Sequence, residues 1–368
     1  MSHIYANACM TLSATWATNP SQGCFVTPDK RYISRTRSFT NFRHESYELH
    51  CHELLPRLDT PLQRRGWVFQ ERMLSRRIVH FMEQELWWEC RTSFLCECGN
   101  HNNRNLGIGM DWELKMNDLP SPGNIGTYWE YIVQIYTMKS LTYSSDIFPA
   151  LQGLAKLFPP SMGRYLAGHW ENTLVGSLCW HTKQPAALAP DQWRAPSWSW
   201  AAAQGAVKWP STVSRGEPCV TVLRATTTPK GDDIMGQISY GAIFLRGKCL
   251  NGYLGTKYHD AHVRYEFRLD GSELGSRSRG HSFFPDRNDV VQLEDKTPLV
   301  AIRILETPSL DETRVGCWFI LRRADMEAGA FVRIGIMYEN PSNGRGLYGT
   351  KLNAEHEKEA VELDIEII

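Results

Sequence analysis

The sequence predicts an α+β protein. A mixed, mainly helical part over residues 1–210 packs on a mostly antiparallel β part over residues 211–368, a sandwich or barrel. Three observations predict this. Apolar residues before about residue 210 recur at three- and four-residue intervals, the period of one helix face. Beyond about residue 215 they gather in short runs, the last of which alternates strictly: Val361, Leu363, Ile365 and Ile367 with Glu362, Asp364 and Glu366 between them. Gly, Asp and Asn punctuate those runs, as turns between antiparallel strands require. The period changes near Trp209–Pro218.

In the first part, Met1–Thr18 reads as a helix or strand entering a core, and residues 19–58 are polar and loop-rich. Leu62–Leu74 has a helical pattern, with Trp67, Glu71 and Leu74 at i, i+4 and i+7 on one face. Arg77–Phe81 and Glu85–Cys90 read as strands joined by Met82-Glu83-Gln84, a hairpin length. Ile78 and His80 then share one face, as do Leu86, Trp88 and Cys90. Thr127 with Glu130 makes a capping box before the stripe Trp129, Ile132, Val133 and Tyr136. Asp146 caps a helix that Pro159-Pro160 ends, and Arg164–Trp180 reads as a further amphipathic helix. In the second part the predicted strands are Val220–Leu223, Gly241–Leu250, Val263–Leu269, Leu299–Leu305, Cys317–Leu321, Phe331–Met337 and Ala360–Ile368.

Composition narrows the function classes. Lys+Arg and Asp+Glu balance at 40 each, so the chain lacks the electrostatic footprint of a nucleic-acid or anionic-lipid partner. No stretch approaches the roughly 18 apolar residues of a membrane span, and Met1–Ala8 has neither the basic start nor the apolar run of a signal peptide. Ten cysteines in 368 residues do not form a disulfide scaffold, and a cytoplasmic location with reduced thiols is the simplest expectation. Thirteen tryptophans are an excess that calls for cores, interfaces or apolar pockets.

Several motifs are specific. Arg65-Gly66-Trp67-Val68-Phe69-Gln70-Glu71-Arg72-Met73-Leu74-Ser75-Arg76-Arg77 resembles, nearly residue for residue, the third motif of the fungal HET (heterokaryon-incompatibility) domain family, and Trp88-Glu89-Cys90 follows it in the family's manner. Ile4–Ala8 is similar to the run after that family's second motif. Leu141-Thr142-Tyr143 with Asp146, Leu151–Ala155, Arg164–Gly168 and Arg194–Trp200 resemble its C-terminal extension. The likeness covers roughly residues 1–200. The family's first motif (a Leu-Ser-Tyr-x-Trp-Gly type run) and second (a Trp-Ile-Asp…Cys-Ile-x-Gln type run) are absent, so the resemblance implies a chain that begins partway into the domain. It also implies a role in non-self recognition and programmed cell death. A remote likeness of the HET fold to Toll/interleukin-receptor domains, some of which cleave NAD, would place a nucleotide site at leading βαβ elements that this sequence lacks.

The candidate catalytic residues are Glu71 and His80. Glu71 lies on an apolar helix face, where a carboxylate either forms an ion pair or has a raised pKa useful in acid–base work. His80 is either a proton donor or a satisfied core histidine. The candidate substrate-binding residues are Trp67, Trp87, Trp88, Arg194, Ser197, Trp198 and Trp200, because both Trp-dense segments carry polar residues among the aromatics; the alternative is core packing. Cys90, Cys96, Cys98 and His101 are spaced C-x5-C-x-C-x2-H, and His50-Cys51-His52 are sequence neighbours; both fit zinc poorly, so no metal is expected. No nucleophile elbow, phosphate loop or dinucleotide fingerprint appears, and no cofactor is expected. The sequence therefore leads to a HET-like scaffold acting as a cofactor-independent cyclase or isomerase of the pericyclase type. Its expected substrate is a hydrophobic terpenoid or polyketide of fungal secondary metabolism. The alternatives are an incompatibility effector and a non-catalytic binding protein.

Overall fold

The computed structural model describes residues 1–27, 35–51, 60–97, 115, 121–185, 192–210, 216–259, 262–269, 281–288, 297–308, 314–324, 329–338 and 360–368. It corrects the expected mainly helical first part. Among the described residues the protein is strand-rich, and the α-helices are short. The chain divides into two compact units. One comprises Met1–Ser121 with Lys139–Leu141, the other Pro122–Met138 with Thr142–Ile368.

The first unit holds α1 (Ser2–Asn7), β1 (Thr11–Ser13), β2 (Arg35–Thr40), β3 (Ser46–Cys51), α2 (Gly66–Leu74), β4 (Arg77–Phe81), β5 (Leu86–Cys90) and β6 (Phe94–Cys96). β2 and β3 pair antiparallel as a separate hairpin. The central sheet runs β1-β4-β5-β6, with β1 parallel to β4 and the other pairs antiparallel. β4 and β5 show the same alternation of burial, so the register of the hairpin decides what meets inside. Ile78 pairs with Glu89 and His80 with Trp87 on the buried face; Arg77 pairs with Cys90 and Val79 with Trp88 on the other. The Leu62–Leu74 helical reading holds as a 3-10 turn at Leu62–Arg64 followed by α2. Gly66 is needed at the start of α2. Its N–H donates to the Ser140 carbonyl at 2.8 Å, and a Cβ there would come within 2.5 Å of Leu141.

The second unit opens with α3 (Ile125–Tyr136). Asn124 takes its N-cap position, so Thr127 lies inside the helix rather than capping it. A 3-10 turn at Ser144–Ile147 and α4 (Gln152–Ala155) replace the expected single helix after Asp146. The expected helix over Arg164–Trp180 is absent. β7 (Tyr165–Leu166) and β8 (His169–Trp170) form a tight hairpin there, followed by α5 (Leu174–Ser177). The reason is local. Ala167 and Gly168 both take positive φ, 47° and 90°, the pairing that a two-residue hairpin turn demands. The turn is locked by tryptophans: the Gly168 carbonyl accepts from Trp129 Nε1 at 2.8 Å and Trp200 Nε1 at 2.9 Å. β9 (His181–Thr182) and β10 (Val207–Lys208) pair antiparallel.

The β-rich region carries β11 (Glu217–Pro218), β12 (Val220–Pro229), β13 (Ile238–His259), β14 (His262–Leu269), β15 (His281–Pro285), β16 (Leu299–Pro308), β17 (Arg314–Arg323), β18 (Phe331–Tyr338) and β19 (Val361–Ile367). Every strand predicted beyond residue 215 is found. The sheet closes: β13 pairs with β14, β14 with β15, β15 with β18, β18 with β17, β17 with β16, and β16 returns to β13, all antiparallel. The long β13 makes closure possible, because its first half pairs with β12 and β19 while its second half seals the ring. Closure satisfies strand edges that an open sheet would expose. Leu250, Phe267, Phe283, Leu299, Trp318, Ile320, Ile334 and Met337 form one core cluster of this sheet.

Candidate functional site in the first unit

The buried face of the β4–β5 hairpin holds charge. Glu89 is fully buried, and three basic side chains converge on it. Arg72 Nε donates to Oε2 at 2.8 Å, His80 Nε2 stands 2.7 Å from the same oxygen, and Lys115 Nζ lies 3.2 Å from Oε1. The Lys115 contact is an ion pair without hydrogen-bond alignment. Arg72 arrives from the last turn of α2 and also donates to Gln63 Oε1 at 3.3 Å. On the other side of the imidazole, His80 Nδ1 is 3.0 Å from Thr15 Oγ1, which is itself 2.8 Å from Ser13 Oγ. Thr15 is buried, whereas Ser13 at the end of β1 is only partly so.

The electrostatics assign the protons. Burial raises the Glu89 carboxyl, but Arg72, His80 and Lys115 outweigh it and hold the group well below the ordinary carboxylate range. Burial lowers His80, and its bond to Glu89 only partly offsets this, so the imidazole is neutral at pH 7. Burial likewise lowers Lys115 against the pull of Glu89. A carboxylate can only accept, so neutral His80 carries its proton on Nε2 and donates it to Glu89. Nδ1 is then an acceptor, and the Thr15 O–H can supply the proton over 3.0 Å, sharing that one hydrogen with the Ser13 carbonyl 3.2 Å away. Ser13 O–H can donate in turn to Thr15 Oγ1. The result is a directed string, Ser13 to Thr15 to His80 to Glu89, running from a half-exposed hydroxyl to a buried carboxylate. It is the hydroxyl–imidazole–carboxylate arrangement of nucleophile activation with one hydroxyl inserted.

Sequence reasoning named His80 but not Glu89, Thr15, Ser13, Arg72 or Lys115 as site residues. Glu89 carried a signal: it sits two residues from Trp87, so alternation puts both on one face, opposite Ile78 and His80. Glu71 lies half-buried on α2, where the Tyr5 hydroxyl hydrogen-bonds to it; burial first, and Glu71 second, push that phenol up to about 12. Trp67 and Trp88 are half-buried, and Trp87 is buried against Phe94 at 5.0 Å between ring centroids.

Arg194, Ser197, Trp198 and Trp200 belong to the other unit, and each has a packing role there. Arg194 donates to the carbonyls of Ala201 and Ala203. Ser197 Oγ donates to the Ile368 carbonyl and accepts from the Arg333 N–H at 2.9 Å. Trp198 and Trp200 are fully buried, Trp200 edge-on to Tyr136 and Phe148. Beside them Arg333, buried and bidentate to Asp286, stacks 3.7 Å over Trp180. Its guanidinium also donates to the carbonyls of Leu178 and Trp180, so its donors are taken up by the fold itself.

Among the described residues no three His, Cys, Asp or Glu side chains gather as a metal site. Cys98 and His101 of the spaced cluster lie outside the described residues, as do His52 and the side chains of His50 and Cys51. No helix among the described residues is long and apolar enough to cross a membrane. No family model, curated protein or solved structure matches the chain.

Proposed function

We propose that the protein is a HET-like scaffold that acts as an acid–base catalyst, isomerising or cyclising a hydrophobic terpenoid or polyketide without a cofactor. The observation that carries this reading is the string from Ser13 through Thr15 to His80, backed by Glu89. A substrate proton taken up at Ser13 Oγ is matched by transfer of the Ser13 proton to Thr15 and of the Thr15 proton to His80. The imidazolium so formed is stabilised by the Glu89 carboxylate 2.7 Å away. Returning the proton to a different substrate atom completes an isomerisation with no net consumption of acid, base or electrons. Glu89 is pre-ionised by Arg72 and Lys115, so the string needs little reorganisation when charge moves. The half-buried rings of Trp67 and Trp88 offer apolar surface in the same unit.

Isomerisation and cyclisation leave elemental composition unchanged, and this supplies the test. Metabolites of a strain carrying the gene are compared with those of its deletion. The reading predicts that one compound disappears and an isomer of identical mass accumulates, and that complementation with Thr15→Val or His80→Gln fails to restore the product although the variant protein is folded. Unchanged metabolite profiles would refute it. Growth arrest on expression in a naive fungal host, with no isomer pair, would favour the incompatibility effector.

A further inference from the structure

The outer face of the same hairpin carries a second feature. Arg76, Arg77, Cys90, Arg91 and Thr92 line a cleft of about 300 Å³. The hairpin register builds it: Arg77 pairs with Cys90, so Arg76 and Arg91 flank the pair at the open end of β4 and β5. All three arginines are exposed, and no described carboxylate pairs with any of them. Arg77 makes one long bond, 3.5 Å, to the Cys9 carbonyl. Guanidinium groups without acidic partners, set around a concavity, favour an anionic occupant.

The thiol in that cleft is prepared for reaction. Cys90 Sγ lies 3.1 Å from Ser93 Oγ and 3.3 Å from Thr92 Oγ1, two hydroxyls able to donate to a thiolate. Burial pushes the thiol up, but the Ser93 and Thr92 hydrogen bonds more than reverse this and bring it down to about 6. It is then mostly thiolate at pH 7, where an unperturbed thiol would be only a few per cent ionised. The buried thiols differ: burial raises Cys249 to about 12, and burial with the neighbouring Cys179 raises Cys317 well above the ordinary thiol range.

We propose that Cys90 is a thiol modification site whose arginine-lined cleft selects anionic disulfides, glutathione disulfide being the fitting class. The Cys90 thiolate attacks one sulfur of the bound disulfide. A new S–S bond forms between Sγ and that half while the original S–S bond breaks. The electron pair leaves on the other sulfur as a glutathione thiolate, which takes a proton from water. Cys90 is oxidised, one half of the reagent is reduced, and no further oxidant enters. The arginines act by holding the carboxylates of the reagent over the thiol. This site works independently of the Ser13–His80 string, which lies on the opposite face of the sheet.

Intact-mass spectrometry of the full chain tests it, with glutathione disulfide as the anionic probe and cystamine as the cationic one. At low salt, Cys90 should take up glutathione at least about tenfold faster than cystamine, with peptide mapping placing the adduct on Cys90. C90S should abolish the fast adduct, and the double variant R77Q/R91Q should bring the two rates together. Equal rates in the wild-type protein, a faster reaction with cystamine, or preferred modification of the exposed Cys9 would overturn the proposal. The charge comparison needs no variant, so misfolding of a mutant leaves the test intact.

Discussion

Replacing Glu89 by Gln removes one charge from the buried network and changes almost no volume. Lys115, 1% exposed at the side chain, then loses the carboxylate it faces, and Arg72, 9% exposed, loses one of its partners. Leaving a buried charge without its partner costs about 3–5 kcal/mol, whereas replacing whole ion pairs by apolar groups is often neutral. The Glu89→Gln protein should therefore lose about 3–5 kcal/mol of local stability in β4 and β5. Amide hydrogen exchange reads this directly. Exchange at Ile78, His80, Trp87 and the substituted position itself should accelerate by a factor of hundreds to thousands, since about 1.4 kcal/mol is tenfold. Adding Lys115→Met should recover part of the loss, because one unpaired cation is gone. Acceleration of less than about threefold in Glu89→Gln would show that the cations are solvated or paired elsewhere, and the electrostatic reasoning would fail.

Three further outcomes follow from the same physics. Burial raises Glu130 on α3 from 4.5 to about 7, so the folded state holds the proton more tightly and stability falls as pH rises from about 4.5 to 7; Glu130→Gln should be more stable than wild type by about 3 kcal/mol at pH 8 and little different at pH 4, measured by urea unfolding. Burial lowers His169 and His181 to about 3, so the unfolded chain binds their protons first; below pH 6.5 each should cost about 1.4 kcal/mol per pH unit, and a melting temperature flat between pH 6.5 and 5 would contradict this. Glu71→Gln keeps an acceptor for Tyr5 and leaves the network untouched, so its melting temperature should move by less than about 1 kcal/mol equivalent, and a loss near that of Glu89→Gln would assign Glu71 a buried-charge role.

Much of the β structure is legible in the sequence because strand alternation is local. Val361–Ile367 and the β4–β5 hairpin can be read from a few residues each. The helical reading of Arg164–Trp180 fails for an equally physical reason. Tyr165, Leu166, His169 and Trp170 are all buried, so their spacing mimics a helix face. What decides the fold is the positive φ at Ala167 and Gly168, together with Trp129 and Trp200 donating to one carbonyl from distant parts of the chain. Closure of the β13–β18 ring is likewise non-local. At the site, His80 is visible as a polar residue on an apolar face. Thr15 is not, because it is 65 residues away in sequence and Thr or Ser carries no signature of its own. Glu89 could have been found by pairing the two strands residue by residue.

The central claim is that His80 is a neutral base held between Thr15 and Glu89. Nitrogen-15 NMR of the His80 imidazole tests it most directly. The account predicts a neutral ring protonated on Nε2 at pH 7 that remains neutral below pH 6.5, with the Nδ1 resonance shifting in Thr15→Val. A protonated imidazolium at pH 7, or a proton on Nδ1, would contradict it.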